Sequence, residues 1–212
     1  MPDRRGHALA ALIALLGWTA LALQLYLIVR LNIDQGHSGW RGVGRFFGYF
    51  TILTNILVAL VITVRLRGAR AGWLSTTSAA AATASYIALV ALVYEAFLRR
   101  LWAPAGLQWW ADVILHTAVP ILYVVYWATF VEKGTLAWRA ISGWLVYPLG
   151  YLVYALARGA IEGWYPYPFI DAIQLGYGRV VANAVGLVAA WASVGAAFVA
   201  FDRWAARVAP RL

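Results

Sequence analysis

Two polar stretches, each set within a long apolar run, contain the residue types that proton and acyl transfer require. His116 lies in one run, and Thr51, Thr54 and Asn55 lie in another. Polar and ionisable groups are costly in hydrocarbon, so their presence inside a membrane segment indicates a working site. A histidine can take a proton from a hydroxyl and return it to a leaving group, and threonine can supply that hydroxyl as a nucleophile. The two stretches therefore predict hydroxyl–imidazole chemistry.

Asp112 and Asn55 are expected to support this pair. Asp112 precedes His116 by four residues and Asn55 follows Thr51 by four, so each shares a helix face with its neighbour. Asp112 could orient the imidazole, while Asn55 or Arg158 could stabilise an oxyanion. Structural alternatives stay open. A histidine or threonine in a membrane helix often only bonds a neighbouring helix or its own backbone, and Asp112 could simply face water.

The elements that must position these residues are apolar helices. Hydrophobic residues make up 64% of the 212-residue chain and charged residues 12%, against roughly 25% charged in soluble domains. A spanning helix needs about 20 mostly apolar residues. The sequence predicts an all-α bundle of six transmembrane helices in a single domain, 1–212. The predicted spans are 8–30, 46–64, 74–98, 110–131, 140–158 and 179–201.

Composition also excludes several kinds of site. The chain has no cysteine, which excludes disulfides and cysteine-ligated metals. His7 and His37 are terminal or loop residues, so one histidine remains within the spans, too few for a zinc centre or paired haem ligands. We therefore expect no metal and no cofactor. The net charge of +9 comes from basic residues that punctuate apolar runs, which indicates membrane topology and no nucleic-acid partner.

The distribution of basic residues predicts the orientation. Ten of the 17 basic residues, Arg211 among them, fall at the two termini and in the second and fourth loops, and seven fall on the other side. Cytoplasmic segments of membrane proteins carry an excess of Lys and Arg, so this distribution predicts that both termini lie in the cytoplasm. The arginine- and alanine-rich composition suggests a bacterial inner-membrane protein.

With this orientation, Thr51 lies roughly 7–8 Å and His116 roughly 9 Å below the outer ends of their helices, at 1.5 Å per residue.

The matching depths predict a polar cavity in the outer half of the bundle. Other polar residues fall at the outer helix ends, where pairing in a hydrated cavity is the least costly arrangement for charges of both signs. These supporting or substrate-binding candidates are Tyr94, Glu95, Arg158, Asp171, Arg179 and Asn183. The segment GWYPYPF (163–169) cannot be a continuous helix because of its two prolines. It is either an aromatic anchor at the membrane surface or a lid over the cavity.

Three stretches resemble a known family. YFTILTN (49–55), LHTAVP (115–120) and GWYPYPF (163–169) are similar to signature stretches of the androgen-induced and androgen-dependent TFPI-regulating family of six-helix membrane proteins, in its bacterial branch. Animal members hydrolyse fatty acid esters of hydroxy fatty acids. The resemblance implies Thr51 as nucleophile, with Thr54 as a second register, and His116 as base. This chain reads Thr54–Asn55 at the end of the first stretch, where animal members have a shorter, acidic version of that motif.

The expected function is an intramembrane threonine hydrolase that cleaves a lipid ester, with a lipid or acyl chain as its substrate. A small transporter or channel that binds a polar solute or ion in the same cavity is the alternative. A transporter should carry polar groups on both sides of the midplane. This chain concentrates them in one leaflet, which favours the enzyme. A structural protein with a decayed site is the third possibility.

Overall fold

The computed structural model describes residues 4–208, which form helices and connecting turns without a β-strand. Arg211, counted in the orientation argument, lies outside the described residues. The predicted all-helical class is confirmed. Five helical segments are long and apolar enough to cross a membrane, and a sixth qualifies if a bent pair of helices forms one span. The five segments are Arg4–Asp34, Thr77–Leu101, Leu107–Phe130, Ala140–Glu162 and Ala172–Val208.

The helices within these segments are named α1 to α9 in chain order. Their bounds are α1 Arg4–Asp34, α2 Gly39–Gly48, α3 Phe50–Leu66, α4 Thr77–Val93, α5 Leu107–Val113, α6 Val119–Phe130, α7 Ala140–Trp144, α8 Val146–Glu162 and α9 Ala172–Val208. Helix α4 continues into a π-helical turn, Tyr94–Leu98, and α5 is joined to α6 by a second one, Ile114–Ala118. Inside α9, Gly176 has a φ of 72°, which interrupts the helix near its start.

The predicted second span, 46–64, is wrong as a straight helix. The chain instead forms α2 and α3, which meet at a bend of 77°. Tyr49 lies at the corner with an extended backbone (φ −88°, ψ 129°), so α3 begins afresh at Phe50. A new helix start leaves its first N–H groups without helical partners. The bend therefore frees the backbone N–H of Thr51 from the helix, and this group donates to a side chain, the hydroxyl of Tyr167.

Helix α8 explains why the chain can bend there. The side chains along one stripe of α8 donate hydrogen bonds to carbonyl groups in the last turns of α2. The pairs are Tyr151 to Gly48 at 2.9 Å, Tyr154 to Phe47 at 3.4 Å, and Arg158 to Gly44. In a continuous helix the Gly48 carbonyl would accept from the backbone of residue 52. The two tyrosines replace the helical partners that the Gly48 and Phe47 carbonyls lose at the bend, and Arg158 adds a further bond to α2.

Helix α4 occupies the centre of the bundle and contacts α3, α6 and α9. Its first turns are a run of alanines from Ala79 to Ala82 that are almost completely buried. Small side chains allow neighbouring helices to approach closely, which is how helices associate in an apolar medium. Helix α1 packs along α3 and also contacts α2 and α6. This packing brings the N-terminal part of α3 close to the second π-helical turn.

Candidate active site

His116 lies in the π-helical turn Ile114–Ala118, and Pro120 accounts for this local geometry. Proline has no backbone N–H, and its ring clashes with the carbonyl four residues earlier, here that of His116. The Val119 N–H bonds the carbonyl of Ile114, five residues back. The carbonyl of Leu115 thereby loses its regular partner, because residue 119 is already engaged. Single π-helical turns of this kind are often found at functional sites.

Asn55 satisfies the carbonyl that the π-helical turn releases. Its side-chain amide donates to the Leu115 carbonyl at 3.1 Å and to the Thr51 carbonyl at 2.9 Å. These two bonds fix α3 against the segment that contains His116. They also use both hydrogens of the amide, so Asn55 has no donor left for an oxyanion. The structure therefore makes Asn55 a positioning residue, in place of the oxyanion donor considered from the sequence.

The imidazole of His116 is held on one edge and one face. Its Nδ1 lies 3.1 Å from the Oδ1 atom of Asp112 and 3.1 Å from the Asp112 backbone carbonyl. Tyr94 stacks on the ring with centroids 3.9 Å apart and donates to the Oδ2 atom of Asp112 at 2.5 Å. Two acceptors beside Nδ1 favour the tautomer with a proton on that atom. Nε2, on the other edge of the ring, is then left as an acceptor and potential base.

Asp112 is buried, contrary to the alternative in which it faces water. Its side chain is 8% exposed, and that of His116 is 16% exposed. A buried carboxylate needs hydrogen bonds and a partner to offset its desolvation. Tyr94 supplies the hydrogen bond, and the imidazole supplies a group that becomes cationic when it accepts a proton. Asp112 is therefore placed where an orienting carboxylate would be required.

Thr51 lies at the start of α3, second after the corner residue Tyr49. Its backbone N–H donates to the hydroxyl of Tyr167 at 3.2 Å, and its Oγ1 lies 3.4 Å from the same oxygen. Within residues 4–208, no hydrogen bond joins Thr51 to His116. Both residues nevertheless line one cavity of about 330 Å³, together with Asp112 and Tyr94. The Thr51 hydroxyl is thus at the site, bonded to a tyrosine in this conformation.

The segment 163–170 forms part of the wall of this cavity. Gly163 ends α8 in the left-handed conformation, with φ of 66°, and Pro166, Tyr167 and Pro168 line the cavity. Tyr167 is buried, stacks on Phe169 with centroids 5.2 Å apart, and contacts the ring of Tyr49 edge-on. Burial raises the pKa of Tyr167 to about 12, against the opposing effect of its hydrogen bonds with Thr51. Its hydroxyl therefore stays protonated near neutral pH.

A second cavity, apolar and of about 60 Å³, shares Thr51 and Tyr167 with the first. Phe50, Leu89 and Trp191 are among the residues that line it. Thr51 therefore lies between a polar space that contains His116 and an apolar space between α4, α8 and α9. This arrangement could hold a molecule with one apolar arm and one polar arm.

Several residues proposed from the sequence lie away from the main cavity. Thr54, the alternative register, is fully buried and bonds the hydroxyl of Tyr147 at 3.2 Å, towards α8. Glu95 is exposed and pairs with Arg99 at 2.5 Å. Arg179 is exposed and is not among the residues that line the cavity. The structure does not bring these three side chains to Thr51 and His116.

Arg158, Asp171 and Asn183 have structural roles near the site. Arg158 pairs with Glu162 through two hydrogen bonds of 2.7 and 2.9 Å and also supports α2, so it is not aimed at the cavity. Asp171 accepts from two backbone N–H groups at the start of α9. Asn183 donates to the Phe169 carbonyl at 2.8 Å and so anchors the segment 163–170 to α9. The oxyanion or substrate-binding role expected for Arg158 from the sequence does not fit this geometry.

Sequence reasoning missed three residues that line the cavity. Tyr167 was recognised only as part of the motif 163–169. Gln108 donates to Gln24 at 2.8 Å, and both side chains line the cavity. Gln24 is an amide within the long apolar run of α1, so the cost of a polar group in hydrocarbon, applied to amides as well as ionisable groups, would have identified it.

No group of three or more His, Asp or Glu side chains that could hold a metal ion occurs among residues 4–208. Comparison with family models, curated proteins and solved structures finds no match to this chain.

Proposed function

We propose that this chain is a six-span membrane protein with both termini in the cytoplasm and a substrate cavity in its outer half. The lengths and hydropathy of the helical segments support six spans, with α2 and α3 together forming one broken span. The excess of basic residues at the termini and in the second and fourth loops supports the orientation. Helix α2 then lies along the membrane interface and α3 crosses the bilayer. The broken span supplies a helix start below the interface, and irregular backbone at that depth is tolerated where it borders a cavity.

The site acts as a threonine hydrolase on a lipid ester. One observation carries this proposal: a threonine hydroxyl and a histidine oriented by a buried aspartate line the same cavity of about 330 Å³ inside an apolar bundle. A nucleophile, a base and an orienting group in one cavity are the components of covalent acyl transfer. The likeness of segments 49–55, 115–120 and 163–169 to a family of lipid ester hydrolases is separate, sequence-based support for the substrate class.

The reaction proceeds in two acyl transfers. The Oγ1 atom of Thr51 attacks the ester carbonyl carbon, and its proton passes to Nε2 of His116. The tetrahedral intermediate then expels the alcohol, which takes the proton from His116, and an acyl-threonine remains. Water attacks the acyl carbon while His116 accepts its proton. The bond to Thr51 breaks, the proton returns to Oγ1, and a carboxylic acid leaves.

Thr51 must turn from Tyr167 towards His116 for the first step. Threonine in a helix occupies two χ1 rotamers, so the hydroxyl can exchange partners without movement of the backbone. Hydrogen bonds between catalytic groups are often long or absent before substrate binds. The Asn55 bonds hold the two backbone segments together during this change, because they link the Thr51 and Leu115 carbonyls directly.

The oxyanion is stabilised by the N–H of Thr51 and the hydroxyl of Tyr167. The Thr51 N–H is in the first turn of α3, where backbone donors lack helical partners and the helix dipole favours negative charge. Tyr167 remains protonated, so it can donate to an oxyanion once it ceases to contact Thr51. The acyl chain extends into the apolar cavity lined by Phe50, Leu89 and Trp191.

The alternative, a transporter or channel for a polar solute, rests on the polar lining that Gln24 and Gln108 add to the cavity. Transport requires a polar route on both sides of the bound solute. One to two turns deeper than Thr51 and His116, the bundle is filled by Val58, Val119 and Tyr123, all fully buried. This filled interior favours the hydrolase.

The proposal is tested by ester hydrolysis with the purified full-length protein in detergent or nanodiscs, using a long-chain fatty acyl ester. We expect Thr51→Ala and His116→Ala each to lower kcat by roughly four to six orders of magnitude, as removal of single members of a catalytic triad does. Thr54→Ala is the matched control, because it removes a buried threonine hydroxyl from the same helix on a face away from the cavity. Hydrolysis at the wild-type rate by both Thr51→Ala and His116→Ala would reject the assigned roles.

A further inference from the structure

A second polar groove, distinct from the cavity of Thr51, lies between α2 and the end of α8. It has a volume of about 310 Å³ and is lined by three arginines, Arg41, Arg45 and Arg158, with Glu162 and two tryptophans. On the same measure a single water molecule needs about 10–15 Å³, so the groove is larger than a gap between packed side chains.

The walls of the groove are held in place by specific contacts. Arg158 bonds Glu162 and the Gly44 carbonyl, and Trp164 lies under the guanidinium groups of Arg158 and Arg45, at 5.6 and 5.2 Å from its ring centre. Glycine at position 44 favours this close approach, since a Cβ atom there would lie 3.1 Å from Nη2 of Arg158, tighter than an ordinary contact. The cationic groups are thus positioned by packing and hydrogen bonds.

The charge in the groove is not balanced. Arg158 occupies both oxygens of Glu162 with its planar guanidinium. Among residues 4–208, Arg41 and Arg45 form no ion pair with a carboxylate, and Arg41 bonds the Nδ1 atom of His37 instead. Like charges four residues apart on a helix repel one another. Two guanidinium groups without a carboxylate partner therefore face one groove. Their N–H groups can donate hydrogen bonds to phosphate oxygens, and their positive charge attracts the anion.

The surroundings indicate a membrane source for that anion. Helix α2 is a short amphipathic helix at a corner of the bundle, and its Trp40, which lines the groove, is 82% exposed. Tryptophan is enriched where proteins meet the headgroup region of a bilayer. The groove adjoins the end of α8, one of the segments apolar enough to span a membrane. A free anion would not require this exposed tryptophan beside the arginines.

From these contacts we infer that the groove binds the phosphate of an anionic phospholipid headgroup, with Arg41 and Arg45 as its principal ligands. Arg158 and Trp164 form the wall against which the headgroup lies. The site is independent of ester hydrolysis, because it shares neither Thr51 nor His116.

The test is native mass spectrometry of the full-length protein with phosphatidylglycerol, with phosphatidylcholine and with inorganic phosphate. We expect selective retention of phosphatidylglycerol by the wild type. Each arginine near an anionic headgroup contributes about 1 kcal/mol, so Arg41→Gln/Arg45→Gln should weaken this binding roughly 30-fold. The Arg41→Lys/Arg45→Lys variant keeps the positive charge but lacks the planar guanidinium. Its affinity for phosphatidylglycerol should lie between those of the wild type and the glutamine variant.

The matched control is Arg99→Gln/Arg100→Gln, which removes two exposed arginines from the 3₁₀ turn Arg99–Leu101, predicted to lie on the same side of the membrane. It should retain phosphatidylglycerol as the wild type does. Equal retention of the two phospholipids by the wild type would overturn the proposal, and so would equal losses in the two glutamine variants. Binding of inorganic phosphate as tight as that of phosphatidylglycerol would overturn the assignment to a lipid. The wild-type comparisons require no variant to fold.

Discussion

Tyr94 lies flat against the imidazole of His116, with ring centroids 3.9 Å apart and planes inclined by 16°. The same side chain donates a hydrogen bond of 2.5 Å to Asp112, whose other carboxylate oxygen lies beside Nδ1 of the imidazole. One tyrosine therefore restrains the base directly through its ring and indirectly through the carboxylate. We regard Tyr94 as a positioning residue because its hydroxyl contacts Asp112 and not the proposed reacting atoms.

Replacement of Tyr94 by phenylalanine should lower kcat and leave KM nearly unchanged. The ring stack is kept, but Asp112 loses its hydrogen bond. Bonds to charged groups contribute about 1.5–3 kcal/mol, which corresponds to a loss of roughly ten- to a hundredfold in rate if the whole effect falls on the transition state. Steady-state hydrolysis of the long-chain ester measures both constants.

Tyr86→Phe is the control for that variant. Tyr86 lies on α4, the helix that continues into the π-helical turn of Tyr94; it is buried and donates a hydrogen bond of 2.5 Å to the Trp144 carbonyl. The Tyr86→Phe variant should have a lower melting temperature than the wild type and the same kcat. If Tyr94→Phe lowers the melting temperature but not kcat, Tyr94 has only a structural role.

Replacement of Pro120 by alanine should lower activity without loss of stability. Alanine restores a backbone N–H that can bond the His116 carbonyl, and it removes the clash that accompanies proline within a helix. The π-helical turn can then relax towards a regular helix, which shifts the imidazole relative to Thr51. We expect an unchanged or higher melting temperature and a reduced kcat. A variant that keeps full activity would show that the π-helical turn does not matter for the proposed chemistry.

Replacement of Tyr167 by phenylalanine tests the oxyanion contact. Loss of one oxyanion donor lowers kcat by about a hundred- to a thousandfold in well-studied hydrolases. The loss for Tyr167→Phe should be near the lower value, because the Thr51 N–H still donates to the oxyanion. Tyr165→Phe is the neighbouring control, since Tyr165 packs over Gly159 and does not line the cavity. Equal kcat values for both variants would exclude Tyr167 from transition-state stabilisation.

Lys133, in the loop after α6, predicts a pH dependence of stability at the opposite end of the bundle. Burial lowers the pKa of Lys133 to about 8, although Asp202 raises it. The folded protein then releases this proton near pH 8 and the unfolded chain near its ordinary value of 10.5. Between these values the unfolded state binds more protons, so stability rises with pH. The melting temperature of the wild type should rise from pH 8 towards 10.5 relative to that of Lys133→Met. Parallel melting curves would contradict this assignment.

Hydropathy alone predicted the helical class, because a segment of bilayer length has a strong local signature. The same cost of polar groups in hydrocarbon drew attention to Thr51 and His116, and both line one cavity. The corner at Tyr49 was missed because the donors that stabilise it, among them Tyr151 and Arg158, are more than 100 residues away in the chain. Arg158 was assigned to the cavity for the same reason: neither its partner carbonyl in α2 nor the direction of its side chain is encoded locally.

The central claim is that Thr51 is the nucleophile, and mass-spectrometric mapping of a fluorophosphonate adduct tests it most directly. The phosphorus of the probe should bond to Oγ1 of Thr51 in the wild-type protein as fluoride leaves. His116→Ala should label far more slowly, and Thr51→Ala should carry no adduct. An adduct mapped to any other residue, or labelling that persists in both variants, would contradict the account.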